Sequence, residues 1–233
     1  MLKIENLHAS YGGSLVLHGV NLSIQPGEIQ ALMGRNGMGK TTLMRTIMGL
    51  LSSRSGTITF DGQPIQNLRT HEIAAKGLGY VPQGREIFGD FTVWENLHLG
   101  TLKLPRNQRK VPEEVFDYFP ILKERKNQKA GSFSGGQQQM LAIARALVTR
   151  PKMLLLDEPS EGIQPSIVDQ ISEILKKINA QTGLTILIVE QNVDMVLETA
   201  TRCAFMEKGR IVETCSMEDI RKDESIITCH IAV

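Results

Sequence analysis

The string Gly34-Arg35-Asn36-Gly37-Met38-Gly39-Lys40-Thr41 constrains this chain more than any other. It fits G-x-x-x-x-G-K-[ST] in full. It follows the compact apolar run Ile29 to Met33 and precedes Thr41 to Met48, whose composition is helical until Gly49 stops it. Strand, glycine-rich loop, helix is the order in which backbone N–H groups turn inward around phosphate oxygens. Behind them stands the positive end of the helix dipole, roughly half an elementary charge. Lys40 is expected to reach the β and γ phosphates of a nucleotide and Thr41 to bind Mg²⁺. Gly34, Arg35, Asn36, Gly37, Met38, Gly39 and Thr42 are expected to complete the phosphate contacts.

A loop of this kind needs a sheet to carry it, and the chain supplies one. At 233 residues, 41% of them hydrophobic, it can bury a real core. Leu2 to Leu7 and Leu15 to Ile24 read as strands joined by Tyr11-Gly12-Gly13 and closed by Gln25-Pro26-Gly27, an antiparallel flap. Gly56 to Phe60 and Leu78 to Val81 are further strands. From Val93 to about Thr149 strand signals vanish, and Val111 to Phe119 and Gln137 to Val148 show helical spacing. Apolar strands return at Met153 to Leu156, Thr185 to Val189 and Arg202 to Met206, separated by the helical stretches Ser166 to Ile178 and Val193 to Ala200. That alternation implies an α/β fold with a parallel sheet. Residues 1–233 are expected to form one domain, with a helical subdomain at about 84–150 inserted in the core.

Lys plus Arg (26) nearly balance Asp plus Glu (25), for a net charge of +1, so no basic field invites nucleic acid. Lys3 and Glu5 sit among the first residues with no apolar segment, which excludes a secretory signal there and points to the cytoplasm. The apolar runs Met153 to Leu156 and Leu184 to Val189 fall far short of the roughly 20 residues that span a bilayer, so membrane association is expected only through a partner. Cys203, Cys215 and Cys229 lack C-x-x-C spacing and read as reduced residues.

Further strings add chemistry. Met153 to Glu158 is an apolar strand ending in two carboxylates, suited to a metal-organising acid, Asp157, followed by a group that polarises water, Glu158. Gln83 stands just after the strand Leu78 to Val81. Phe133-Ser134-Gly135-Gly136-Gln137 lies between the phosphate loop and the acidic strand end, ahead of a helix whose first N–H groups are free. In this order the pentapeptide resembles the signature sequence of ATP-binding cassette (ABC) ATPases.

The resemblance implies a P-loop NTPase core with an N-terminal antiparallel β subdomain and a helical insert. It implies ATP and Mg²⁺ as ligands and Lys40, Glu158 and Gln191 as the catalytic set, with Thr41, Gln83 and Asp157 toward the metal. Tyr11 is placed to stack on adenine, with packing beneath the flap as its alternative. Ser134, Gly135, Gly136 and Gln137 would bind the γ-phosphate of ATP held by a second ATPase subunit, identical or related. Two departures stand out. Gln191 occupies the switch position where many members carry histidine, so it can hydrogen-bond phosphate but carries no proton at neutral pH. The loop Ser160 to Gln164 ends in Ile163-Gln164 where Leu-Asp is usual.

The strings Val81 to Phe88, Thr92 to Leu97, Glu161 to Ser166 and Val189 to Gln191 resemble those of the second ATPase of importers for branched-chain amino acids, urea and short amides, closest to the urea type. Such a subunit docks through its insert, near Gly84 to Gly100, on transmembrane permease subunits at the inner face of the cell membrane, and serves a solute-binding protein indirectly. The alternative is a soluble cassette ATPase of DNA repair or translation, which long coiled coils, zinc cysteines, fused cassettes or a basic face would mark. A small-molecule kinase on a P-loop core does not account for the pentapeptide.

Overall fold

The computed structural model describes residues 1–102, 104–223 and 225–231. β1 (Leu2–Tyr11) and β2 (Ser14–Ile24) pair antiparallel around Gly12-Gly13. β3 (Ile29–Met33) leaves that sheet and runs through the glycine loop into α1 (Lys40–Ile47). The chain then returns with β4 (Ser53–Phe60) and β5 (Gln63–Pro64), which complete the order β2-β1-β4-β5. α2 (Thr70–Ala75) and β6 (Leu78–Val81) follow, and then the helical stretch: α3 (Val93–Thr101), α4 (Glu113–Tyr118), α5 (Pro120–Glu124) and α6 (Gly135–Leu147). The strands resume as β7 (Met153–Asp157), α7 (Pro165–Thr182), β8 (Thr185–Glu190), α8 (Val193–Thr199) and β9 (Arg202–Glu207). β10 (Arg210–Ser216), α9 (Met217–Lys222) and α10 (Ser225–Ile231) end the described chain.

The second sheet has the order β10-β9-β3-β8-β7-β6, parallel throughout except for β10, which runs antiparallel to β9. β3, β7 and β8 are buried at every position because both their faces are covered. Leu154, Leu156, Ile186 and Ile188 join one core with α6, α7 and the insert residues Val93, Leu97, Phe116, Phe119 and Leu141. Met153, Leu155, Leu187 and Val189 face a second core, with Leu43, Met44 and Ile47 of α1 and the apolar side of the antiparallel sheet. Each such side chain contributes about 1.5–3 kcal/mol on burial. Because the insert shares its core with the strands, its position is fixed by the same packing that fixes the sheet.

The helical stretch read over Val111 to Phe119 is α4, and α5 follows it directly. Phe119 leaves helical geometry (φ −128°, ψ 71°), and Pro120 starts a new helix at the position where its missing N–H costs nothing. β1 extends to Tyr11, so that tyrosine closes a strand rather than lying in a loop. β3, β6, β7 and β8 are mutually parallel, so the segments after Met33, Val81, Asp157 and Glu190 all open on one rim of the sheet.

Candidate nucleotide site

The phosphate loop is built by close approach. Gly34 has φ 155°, and a Cβ there would stand 2.3 Å from the Met206 carbonyl oxygen of β9. Gly39, at φ 105°, starts α1 in a left-handed conformation. The Met38 carbonyl accepts the Gly209 N–H (2.9 Å) and its sulfur the Lys208 N–H (3.2 Å), which ties the loop to the β9–β10 turn. Buried Lys40 folds back, its Nζ donating to the carbonyls of Gly34 (2.7 Å) and Arg35 (3.1 Å) and lying 3.7 Å from Glu158 Oε1. Desolvation holds its pKa below the usual lysine value, although Glu158, Asp157 and Glu190 oppose that shift. Thr42 is buried in the first turn of α1, where its carbonyl accepts from Thr46.

At the end of β7, Asp157 accepts from Thr41 Oγ1 (3.2 Å) and from the Tyr80 hydroxyl (3.3 Å). Burial pushes its pKa up to about 6, against the pull of those two bonds. Glu158 adopts φ 49° while its N–H bonds to the Val189 carbonyl (2.9 Å), a strained conformation that turns its side chain to the loop. There Oε2 accepts from Gln83 Nε2 (3.2 Å) and Oε1 from Gln191 Nε2 (2.9 Å). The Gln191 amide also donates to Asn36 Oδ1 (2.7 Å), and Gln83 also donates to Glu161 Oε2 (3.1 Å). Of the residues expected toward phosphate and metal, Asn36, Lys40, Gln83 and Gln191 are therefore joined through Glu158, and Thr41 is joined to Asp157 beside it.

Thr41 and Asp157 offer hard oxygens, one of them a desolvated carboxylate, which suits Mg²⁺. Among the described residues no group of three or more His, Cys, Asp or Glu is placed to hold a metal ion by itself. A cleft of about 750 Å³ beside it is lined by Thr41, Arg45, Tyr80, Gln83, Asp157 and Glu161 among others. Tyr11 stands 45% exposed at the end of β1, not packed beneath the flap.

Ser134 to Gln137 lie apart from this cluster. Of the N–H groups at this helix start, that of Gln137 bonds to Ser134 Oγ (3.4 Å), while the Gln137 side chain accepts the Ser134 N–H (3.2 Å). This is a capping box, and it leaves the N–H groups of Gly135 and Gly136 without helical partners. Each glycine also has a steric reason. A Cβ on Gly136 would meet Ile167 Cγ2 at 2.4 Å, and one on Gly135 would meet the Arg85 guanidinium at 3.1 Å. Among the described residues, no hydrogen bond runs from the turn to Lys40, Thr41, Asp157 or Glu158.

Sequence reasoning gave no role to Glu190, Tyr80 or Arg85. Glu190, 2% exposed, accepts the N–H groups of Ser160 (2.8 Å), Gln191 (2.8 Å) and Asn192 (3.0 Å), and so fixes the backbone on which Gln191 stands. A carboxylate closing the apolar run Thr185 to Val189 was the available signal.

Residues 17–161 match the family model described as ABC transporter. The chain belongs to the ABC transporter family. It is an ATP-binding, ATP-hydrolysing subunit of that family, and its fold is the family's P-loop architecture. It is 43% identical over 213 residues to the high-affinity branched-chain amino acid transport ATP-binding protein BraG of Pseudomonas aeruginosa, covering 91% of each chain. It is 36% identical over 231 residues to the lipopolysaccharide export system ATP-binding protein LptB of Haemophilus influenzae, covering 97% of this chain and 95% of that one. Among solved structures, a nucleotide-free ATP-binding cassette from an ABC transporter superposes with TM-score 0.88 at 26% identity, over 100% of this chain and 99% of that one. A dimeric post-hydrolysis cassette, MJ0796 bound to ADP and Pi, gives TM-score 0.83 at 28% identity, over 93% and 99%. No helix among the described residues of this ABC ATPase is long and apolar enough to cross a membrane.

Proposed function

We propose that this ABC ATPase powers a solute importer, with branched-chain amino acids as the first solute class and urea or short amides as the others. The observation that carries the ATPase part is the convergence of Lys40, Gln83 and Gln191 on Glu158 at the ends of parallel strands. The likeness to BraG supports the importer part.

In this reading the γ-phosphate replaces the Gly34 and Arg35 carbonyls as the partner of Lys40, and N–H groups of residues 34–42 cradle the phosphates. Thr41, Asp157 and Gln83 would hold Mg²⁺, which would supply charge neutralisation at the phosphates. Glu158 accepts a proton from the attacking water, and Gln83 and Gln191 orient the carboxylate that does so. Tyr11 stacks on adenine. Ser134, Gly135, Gly136 and Gln137 complete the γ-phosphate site of a second ATPase subunit, a copy of this chain or a related one.

Residues 1–233 act as one nucleotide-binding domain with the insert at about 84–150. Phe88, Phe91 and Trp94 stand 50%, 42% and 43% exposed on that insert, an apolar surface suited to permease subunits at the inner face of the cell membrane. A solute-binding protein would act through the permeases alone. The likeness to LptB supports a second reading, coupling to an export system.

Co-expression with candidate permease subunits, reconstitution in vesicles with a candidate binding protein, and uptake of labelled leucine, urea or acetamide test the proposal. ATP-dependent accumulation that Glu158→Gln abolishes is the expected result. A complex that hydrolyses ATP yet accumulates none of the three excludes these solute classes.

A further inference from the structure

Gly84, Arg85 and Glu86 adopt φ values of 81°, 70° and 46°, three left-handed residues in a row, two of which are not glycine. Side chains rarely take such backbone, and it persists where its surroundings over-determine it. Here the Arg85 N–H bonds to the Pro82 carbonyl (3.2 Å), the Glu86 N–H to the Gly84 carbonyl (2.8 Å), and the Glu86 carbonyl accepts from Arg145 Nη2 of α6 (2.8 Å). The result is to aim the Arg85 side chain between two segments. Its Nη2 donates to the Glu161 carbonyl (3.0 Å), and its guanidinium lies against Gly135, where a Cβ would be 3.1, 3.2 and 3.3 Å from Nη2, Nη1 and Cζ.

Gln83, on the other side of this bend, holds both Glu158 and Glu161. Four residues therefore touch Glu158, the loop that follows it, the turn at Gly135 and the body of α6. The close approach of Gly136 to Ile163 and Ile167 is another link between the turn and the Glu158 segment. Only a planar fork can donate in its plane to a carbonyl while a face rests on a glycine, which selects arginine over lysine.

We propose that Arg85 is a positioning residue that couples the two ATP sites. It makes the Ser134 to Gln137 turn, offered to a second subunit, move with the loop behind Glu158, which serves the chain's own phosphate site. This rests on the two-subunit reading given above. In the chain's own site Arg85 touches neither Lys40 nor Thr41, so binding of nucleotide by one chain does not depend on it.

The test uses full-length chain carrying Arg85→Ala or Arg85→Lys. Three quantities are measured: affinity for ATP without hydrolysis, turnover against ATP concentration, and ATP-driven dimerisation in a Glu158→Gln background. Arg85→Ala is expected to change ATP affinity by less than about twofold, to lower kcat about tenfold, and to bring the Hill coefficient toward ~1. Arg85→Lys, which keeps a donor for the Glu161 carbonyl, is expected to recover part of kcat. Wild-type kcat and Hill coefficient in Arg85→Ala overturn the inference alone, as does a loss of ATP affinity in step with kcat. If Glu158→Gln with Arg85 intact stays monomeric in saturating ATP, the reading in which two copies of this chain pair falls, and the inference for this chain falls with it.

Discussion

Asp157 is 1% exposed, and the loss of water raises its pKa from 3.8 to about 6 even though Thr41 and Tyr80 donate to it. An acid whose pKa stands higher folded than unfolded binds protons more tightly in the native state. Stability therefore falls as pH rises from roughly 4 to 6 and stays lower beyond. Two pKa units correspond to about 3 kcal/mol, from which imperfect bonding by an amide must be subtracted. Asp157→Asn is thus expected to stabilise the ligand-free chain by about 1–3 kcal/mol at pH 8 and by almost nothing near pH 4, while lowering ATPase activity. Urea unfolding at both pH values checks this, and equal stabilities at pH 8 would mean that the carboxylate is already compensated. Glu158→Gln is expected to lower turnover at least a hundredfold, and Gln191→Ala, which breaks the bridge from Asn36 to Glu158, only about three- to tenfold. Equal losses in steady-state kinetics would overturn this ranking and give Gln191 as large a share of the chemistry as Glu158. At this scale the local strings were legible because Lys40, Thr41, Asp157 and Glu158 owe their placement to one loop and one strand end. Glu190 was not, because its role comes from N–H groups brought to it from Ser160, Gln191 and Asn192.

The start of α6 shows what an element adds to a motif. As a string, Gly135-Gly136 marks a flexible helix start; in the fold one glycine admits Arg85 and the other Ile167. Gly136→Ala must displace α7 and is expected to cost about 1–3 kcal/mol, more than Gly135→Ala, where only a flexible guanidinium moves. Matching urea midpoints for the two variants would remove the packing argument. Both contacts link distant segments, which is why spacing alone did not reveal them. β3, β7 and β8 were legible as unbroken apolar runs, whereas β10, an edge strand with most positions exposed or half-buried, carries no such pattern. α10 also escaped sequence reading, since tertiary bonds hold it. His230 gives Nδ1 to Glu207 and Nε2 to Glu213, each at 2.8 Å, and stacks on Phe205. Two carboxylates on one ring require both nitrogens to donate. Burial, the largest single influence, lowers the His230 pKa, but the two glutamates together outweigh it and raise it above 6.5. The tether is accordingly complete below the unfolded value and lost as pH rises through the folded one. Amide exchange over residues 225–231, corrected for intrinsic rates, should accelerate as pH rises above the ordinary histidine value and lose that dependence in His230→Ala. Unchanged protection in the variant would show that apolar contacts suffice.

For the molecule as a whole, the separation of the Lys40 cluster from the Ser134 turn is the feature with the widest consequence. In the two-subunit reading each chain carries two unlike half-sites, and the capping box at Ser134 already holds the turn in shape with Gly135 and Gly136 N–H groups left over. If the turn of one copy completes the phosphate site of another, two inactive variants should rescue each other. Lys40→Ala destroys the phosphate half-site and keeps the turn; Ser134→Ala weakens the turn and keeps the phosphate half-site. In a mixed dimer one site collects both lesions, while the other pairs an intact Lys40 with an intact Ser134. Random pairing of equal amounts makes about half the dimers mixed, each with one sound site of two, so the mixture should recover about a quarter of wild-type turnover when the variants alone show little. Recovery should grow with protein concentration as dimers form. A mixture no more active than the mean of its components would show that these half-sites do not meet across two copies of this chain, and would leave a related, non-identical ATPase as the subunit whose turn completes the Lys40 site.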